Sequence, residues 1–255
     1  VEARPDYEPY PCDNFQDAIE AVRNGTCALG MIAVENSTYG RVADIHRLLP
    51  SSGLHIIDEA FTRVRISLMA LPGVALGDIK TVRAHMVLLP QAAAFLTKNN
   101  IIGEAAADSA GAAAELIESQ DKNSGVLASD IAAQIYKLNV LASEIEDHGH
   151  NTTRFLVMSR DSNFERRGSM MTSFVFRVRN IPAALYKAMG GFATNSVNMT
   201  KLESYMVGGH FTATQFYADI EGHPDDENVK RALDELAYFT SEIKILGTYP
   251  RSAER

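Results

Sequence analysis

The sequence predicts an α/β protein in two parts: a larger module of alternating strands and helices over residues 1–160, then a smaller β-α-β-β-α-β module. Three observations predict it. Apolar runs of strand length alternate with helical-period segments up to about residue 160, the pattern of sheets covered by helices. The stretch "RDSNFERRG" (160–168) then breaks the periodicity with polar and charged residues, as a linker does. Beyond it the elements follow the split βαβ, or ferredoxin-like, order.

In the first module, "DNFQDAIEAVRNG" sets Asp13 three residues before Gln16 in a capping-box pattern, with Phe15, Ala18, Ile19 and Val22 at helical spacing. Gly25 closes that helix. "CALGMIAVEN" is an apolar run of strand length, buried on both faces. "GRVADIHRLLP" places Val42, Ile45, Leu48 and Leu49 on one helical stripe and stops at Pro50. "LHIIDEAFTRVRISLMAL" reads as two strands and "IKTVRAH" as another. "PQAAAFLTKNN" opens a helix with proline, whose missing N–H has no partner in a first turn. "ADSAGAAAELIES" is a helix capped near Asp108 or Ser109, "GVLAS" a strand, "DIAAQIYKL" a helix and "NTTRFLVMS" a closing strand. Such alternation predicts a mainly parallel sheet.

In the second module "MMTSFVFRVRN" is a strand and "PAALYKAMGGFA" a helix. "VNMTKLESYMV" and "HFTATQFYADIEG" make a hairpin about a "GG" turn, followed by the helix "DDENVKRALDELAYF" and the strand "SEIKILGTYP".

Composition narrows the function. The chain has 255 residues, 46% of them hydrophobic, and a formal charge of −8. That balance argues against nucleic acid or an anionic membrane as partner, both of which are held by clustered Lys and Arg. Small-molecule chemistry is left. Cys12 and Cys27 are the two cysteines and form no CxxC, so neither a disulfide framework nor a zinc site is expected. The pair of histidines in "HGH" (148–150) lacks a third ligand nearby, and no metal is expected there. No apolar run approaches the roughly 20 residues that span a bilayer. "VEARPDYEPYPC" lacks a signal-peptide layout, and the expected location is cytoplasmic.

Ligands of open α/β sheets bind beyond the carboxyl ends of strands, where loops lead into helices. Three polar clusters stand at such places: "ENSTYG" with Glu35, Asn36 and Ser37, the pair Ala84-His85, and "ADSAG" with Ser109. Helix N-termini offer unpaired N–H groups and a positive dipole end, so the pattern predicts a small anionic ligand. Asn36, Ser37 and Ser109 serve equally well as plain helix caps, and His85 as a structural histidine. In "NTTRF" the strand period puts Thr153 and Phe155 on one face and Thr152 and Arg154 on the other.

With "ENS" and "GRV" early, "NTTRF" downstream and "NMTKLES" in the tail, the sequence resembles bacterial prephenate dehydratases with a C-terminal ACT domain over nearly its whole length. The resemblance implies a type II periplasmic-binding-protein-like catalytic region at 1–160, with lobes at 1–72 plus 145–160 and at 73–144. It further implies a linker at 161–169 and an ACT regulatory domain at 170–255. The implied reaction is the decarboxylating dehydration of prephenate to phenylpyruvate, on the route to phenylalanine, with no cofactor and no metal. Thr153 is the implied proton donor, with Phe155 packed below it, while Arg154 either braces the strand or reaches a substrate carboxylate. Glu35, Asn36, Ser37, His85, Ser109 and Thr152 are the implied substrate contacts. L-phenylalanine is the implied effector, in a pocket of Ala184, Leu185, Asn198, Met199 and Thr200 within a homodimer or homotetramer.

The chain departs from the family pattern in places. Relatives carry a glycine- and serine-bearing strand and loop ahead of the region matched by "VEARPDYEPYPC", and Ser-His where this chain has Ala84-His85 before "MVLLPQAAAFL". The family's Gly-Ala-Leu and Glu-Ser-Arg-Pro stretches read "PAAL" and "ESYM" here, with Tyr205 and Met206 for the arginine and proline. Two other readings stand beside this one: a cyclohexadienyl or arogenate dehydratase, since the two substrates differ only in a keto versus an amino group, and a catalytically inactive amino-acid-binding regulator on the same scaffold, which the altered segment at 84–92 and the N-terminal departure support.

Overall fold

A computed structural model describes residues 4–42, 45–147, 149–179, 181–206 and 213–255. In chain order the elements are α1 (Phe15–Arg23), β1 (Gly30–Asn36), β2 (Gly40–Arg41), α2 (Ile45–Leu48), β3 (His55–Arg63), β4 (Ser67–Ala70) and β5 (Thr81–His85). There follow α3 (Ala93–Lys98), β6 (Ile102–Ala106), α4 (Ser109–Ser119), β7 (Ser124–Ala128), α5 (Asp130–Tyr136), β8 (Asn139–Ala142) and β9 (Thr152–Ser159). The chain ends with β10 (Met170–Val178), α6 (Ala184–Thr194), β11 (Met199–Met206), β12 (Ala213–Glu221), α7 (Glu227–Phe239) and β13 (Thr240–Pro250). Two compact units result, Val1–Thr62 with Thr153–Arg255, and Arg63–Thr152.

The first unit holds an eight-stranded sheet in the order β11-β12-β10-β13-β3-β9-β1-β2. Its C-terminal half has the expected β-α-β-β-α-β order, with β10 antiparallel to both β12 and β13. One face of β10 packs Phe174 and Phe176 against Ala188 and Phe192 of α6 and Val229, Ala232 and Leu236 of α7. The other face gives Met171 and Val175 to a second core with Ile32 and Val34 of β1, Ile56 of β3 and Leu156 and Met158 of β9. Covered on both sides, β10 is buried along nearly its whole length, Thr172 and Ser173 included. The two halves of the sheet meet where β13 runs parallel to β3, with Gly247 opposite Ile56. A Cβ at Gly247 would lie 2.0 Å from the Ile56 carbonyl oxygen, so only glycine permits this approach.

The second unit carries a five-stranded sheet ordered β6-β5-β7-β4-β8. Here β5 is parallel to β6 and β7, whereas β4 is antiparallel to β7 and β8. Its core gathers Leu68, Met69, Val82, Ala84, Ala113, Leu116, Val126 and Leu127.

Several expectations need correction. The sheets are mixed rather than mainly parallel, because β9 returns antiparallel to β1 and the C-terminal strands pair antiparallel. The cap of α1 is Asn14, whose side chain accepts from the Asp17 N–H at 2.9 Å, not Asp13. Pro90 lies in a 3-10 turn, Leu89–Ala92, and the α-helix starts only at Ala93. The helix expected across 40–50 is described as the short α2, with Pro50 in the following 3-10 turn, Leu49–Ser51. Strands β6 and β8 were not anticipated. The "GG" turn at 208–209 and His148 lie outside the described residues. Among those described, no helix is long and apolar enough to cross a membrane.

Candidate active site

The site is built on the pairing of β1 with β9. A bulge between Ala33 and Glu35 lets Val34 enter the core while Glu35 still stands opposite Arg154 and Asn36 opposite Thr153. Bulges of this kind re-aim side chains at strand ends. Asn36 is oriented by its own turn: its side-chain oxygen accepts from the backbone N–H groups of Thr38 and Tyr39 at 2.9 and 3.0 Å. Its amide nitrogen therefore points the other way and donates to the Thr153 hydroxyl at 3.1 Å. A hydroxyl has one hydrogen and two lone pairs. Asn36 takes a lone pair, so the Thr153 hydrogen is aimed elsewhere. Thr153 and Phe155 are half-buried, and Ser37 is exposed.

Arg154 lies on the opposite face from Thr153 and is buried. Its guanidinium donates to Glu35 at 2.7 Å, Glu59 at 2.8 Å, Asp219 at 2.6 Å and the Tyr249 hydroxyl at 2.9 Å. All three guanidinium nitrogens of Arg154 thus have protein partners. Arg255 adds contacts to Glu59 and Asp219 at 2.7 and 3.1 Å, and Lys201 donates to Glu35. Burial pushes the Asp219 carboxyl up, but the Arg154 charge and hydrogen bonds from Ser173 and Tyr217 hold it below its ordinary value. At Glu35 burial likewise pushes up, and hydrogen bonds from Lys201 and Arg154 bring the net shift down. Burial raises the phenols of Tyr217 and Tyr249, which keeps them neutral donors.

In the second unit, His85 ends β5. Its backbone N–H donates to the Ser109 hydroxyl at 3.2 Å, and its Nδ1 accepts from the Val87 N–H at 3.3 Å, which places the neutral ring's proton on Nε2. Ser109 is the first residue of α4 rather than its cap. That role belongs to Asp108, whose carboxylate accepts from the Gly111 N–H at 2.6 Å. The positive end of α4 is thus already matched by a carboxylate of the chain itself. Thr152 is half-buried, with its hydroxyl 3.4 Å from the His150 carbonyl, and Asn151 donates to the Gln91 side chain.

The five C-terminal residues are dispersed in their environments. Ala184 is buried at the start of α6, Leu185 packs on the core, and Asn198 and Thr200 are exposed while Met199 is half-buried. The Thr200 hydroxyl accepts from Arg255 at 3.0 Å. Ala183, at the position of the family's glycine, has a left-handed φ of 60°. Sequence reading missed Glu59, Lys201, Asp219 and Tyr249 as partners of the site. A charged residue inside an apolar strand run, as in "FYADIE", was the available signal.

The sequence profile of the family described as prephenate dehydratase matches residues 2–163. A relative from Komagataeibacter europaeus, named a bifunctional N-acyl-homoserine lactone acylase/prephenate dehydratase, is 45% identical over 256 residues, covering 100% of this chain and 91% of its own. A solved structure described as GqqA, a novel type of quorum quenching acylase, superposes with a TM-score of 0.92 at 44% identity, covering 99% of this chain and 92% of that one. A prephenate dehydratase from Arthrobacter aurescens in complex with L-Phe gives 0.88 at 31% identity over 98% of this chain and 84% of that one. The profile match and the full-length relatives together show that the chain belongs to the prephenate dehydratase family.

Proposed function

We propose that the chain converts prephenate to phenylpyruvate, carbon dioxide and water. The observation that supports this reading most is the Asn36 hydrogen bond to Thr153, which leaves the threonine hydrogen to a ligand. Carbon dioxide leaves the ring carboxylate, its bonding electrons aromatise the ring, and the ring hydroxyl departs with one proton as water. Electrons balance within the substrate. Thr153 donates to the departing oxygen as negative charge develops there, an interaction worth most when fixed in advance. Asn36 and Ser37 contact substrate oxygens beside Thr153, and Arg154 and Glu35 hold the strand pair behind them. The family match and the relatives named for this reaction do not favour an inert regulator or a strict arogenate enzyme.

The finer architecture belongs to the same proposal. Residues 1–72 with 145–160 and 73–144 form two periplasmic-binding-protein-like lobes, 161–169 a linker, and 170–255 an ACT domain. The β-α-β-β-α-β order supports the last assignment. The A. aurescens complex with L-Phe supports phenylalanine as effector; the pocket proposed for it is Ala184, Leu185, Asn198, Met199 and Thr200, in a homodimer or homotetramer. The likeness to the K. europaeus protein supports a second activity, cleavage of N-acyl-homoserine lactones. Incubation of the purified chain with prephenate, read as phenylpyruvate absorbance in base, tests the main reading. Release of homoserine lactone tests the second. Absence of phenylpyruvate from a folded protein would remove the dehydratase reading.

A further inference from the structure

The candidate donor and its partner sit on one face of the β1–β9 pair, and a buried ionic cluster sits on the other. Glu35 and Arg154 are the residues next to Asn36 and Thr153 in both strands, and they face each other in the same register. Whatever fixes Glu35 and Arg154 therefore fixes the backbone that aims Asn36 and Thr153. Much of that fixing comes from the C-terminal strands. Lys201 of β11 donates to Glu35, and Asp219 of β12 accepts from Arg154 at 2.6 Å. Asp219 is itself held by Ser173 of β10 and by Arg255. The side chains of Arg154 and Asp219 are 3% and 0% exposed, so neither charge has water as a substitute partner.

We propose that Lys201 and Asp219 are positioning residues of the active site, through which β11 and β12 set the geometry of Asn36 and Thr153 by way of Glu35 and Arg154. The C-terminal module is then part of the catalytic apparatus, and a displacement of β11 or β12 is felt at Thr153. This rests on the dehydratase reading of that site. The charged and titratable groups around Glu35 are Arg154 on β9 and Lys201 on β11, which bond to it, Arg41 opposite it on β2, Glu203 on β11 and His46 on α2; Asp219 and Glu59 pair with Arg154, and Arg255 with both of them. Removing the Lys201 charge leaves this set more negative, which raises the Glu35 carboxyl.

Steady-state kinetics of the full chain with prephenate test it, using Lys201→Met, Lys201→Arg and Asp219→Asn. Lys201 stands at the edge of the cluster, so its variants keep the fold even if Asp219→Asn does not. Lys201→Met is expected to lower kcat about tenfold with KM within about twofold. The acid limb of the kcat profile moves to higher pH, because Glu35 protonates earlier. Lys201→Arg restores most of kcat and the wild-type limb. A general loss of structure would show neither the split between kcat and KM nor the rescue. Wild-type kcat and an unmoved acid limb in Lys201→Met would overturn the proposal. An inactive wild type would remove the dehydratase reading alone. The Thr153 methyl resonance would then decide the coupling: displaced in Lys201→Met if it exists, coincident with wild type if it does not.

Discussion

At position 154 the guanidinium of a buried arginine meets three carboxylates and a phenol. Removing it leaves the fully buried Glu59 and Asp219 with Arg255 as their shared cation, so Arg154→Met is expected to destabilise the fold by about 3–5 kcal/mol in urea unfolding. Arg154→Lys keeps the charge but loses the planar fork that reaches four partners, and is expected to leave activity largely unrestored. His46 carries a different liability. It is buried against Tyr217, neither ring nitrogen has a hydrogen-bond partner among the described residues, and burial holds its pKa below 6.5. Below pH 6.5 the unfolded chain therefore takes up a proton that the folded chain refuses, and stability falls as pH drops through that value. Glu35 and Asp219, both lowered, add a second loss as pH falls through 4.5 and 3.8. Urea midpoints are expected to decline in these two stages, and His46→Phe to remove the first. The strand period read from "NTTRF" separates Thr153 from Arg154 as the structure does. Arg154's partners were not legible, because they lie on β1, β3, β12 and β13, and strand period says nothing about which distant carboxylate arrives.

The join between β13 and β3 decides whether those partners arrive at all. Gly247 lies against the Ile56 carbonyl, so Gly247→Ala forces the strands apart. It is expected to cost about 1–3 kcal/mol in urea unfolding and to lower turnover, since Asp219 and Tyr249 reach Arg154 from that half of the sheet. Unchanged stability would show that the strands part without cost. Elements with a strong period or cap were legible in sequence: β1, β9, β10, α4 and α7 stand where their patterns put them. Strand β6 was not, because "IGEAA" is a solvent-facing edge of small residues with no alternation, and β8 is four residues long. The α4 cap went to Asp108 because its carboxylate outcompetes the neighbouring hydroxyl for the free N–H groups.

Across the whole molecule, the net charge of −8 supplies no broad basic surface, so the proposed site has to hold an anionic substrate by local polar groups. If the C-terminal module is a phenylalanine sensor, calorimetric titration is expected to give saturable heat below about 1 mM ligand, and no heat at that concentration would remove the effector. The account as a whole turns on the Thr153 hydroxyl. Turnover of prephenate by wild type, Thr153→Ser and Thr153→Val, with folding checked by circular dichroism, measures it directly. The serine variant is expected to retain a substantial share of kcat, and the valine variant, which keeps the shape but has no hydrogen to give, to lose about 10²–10⁴-fold. Wild-type turnover by Thr153→Val would contradict the account.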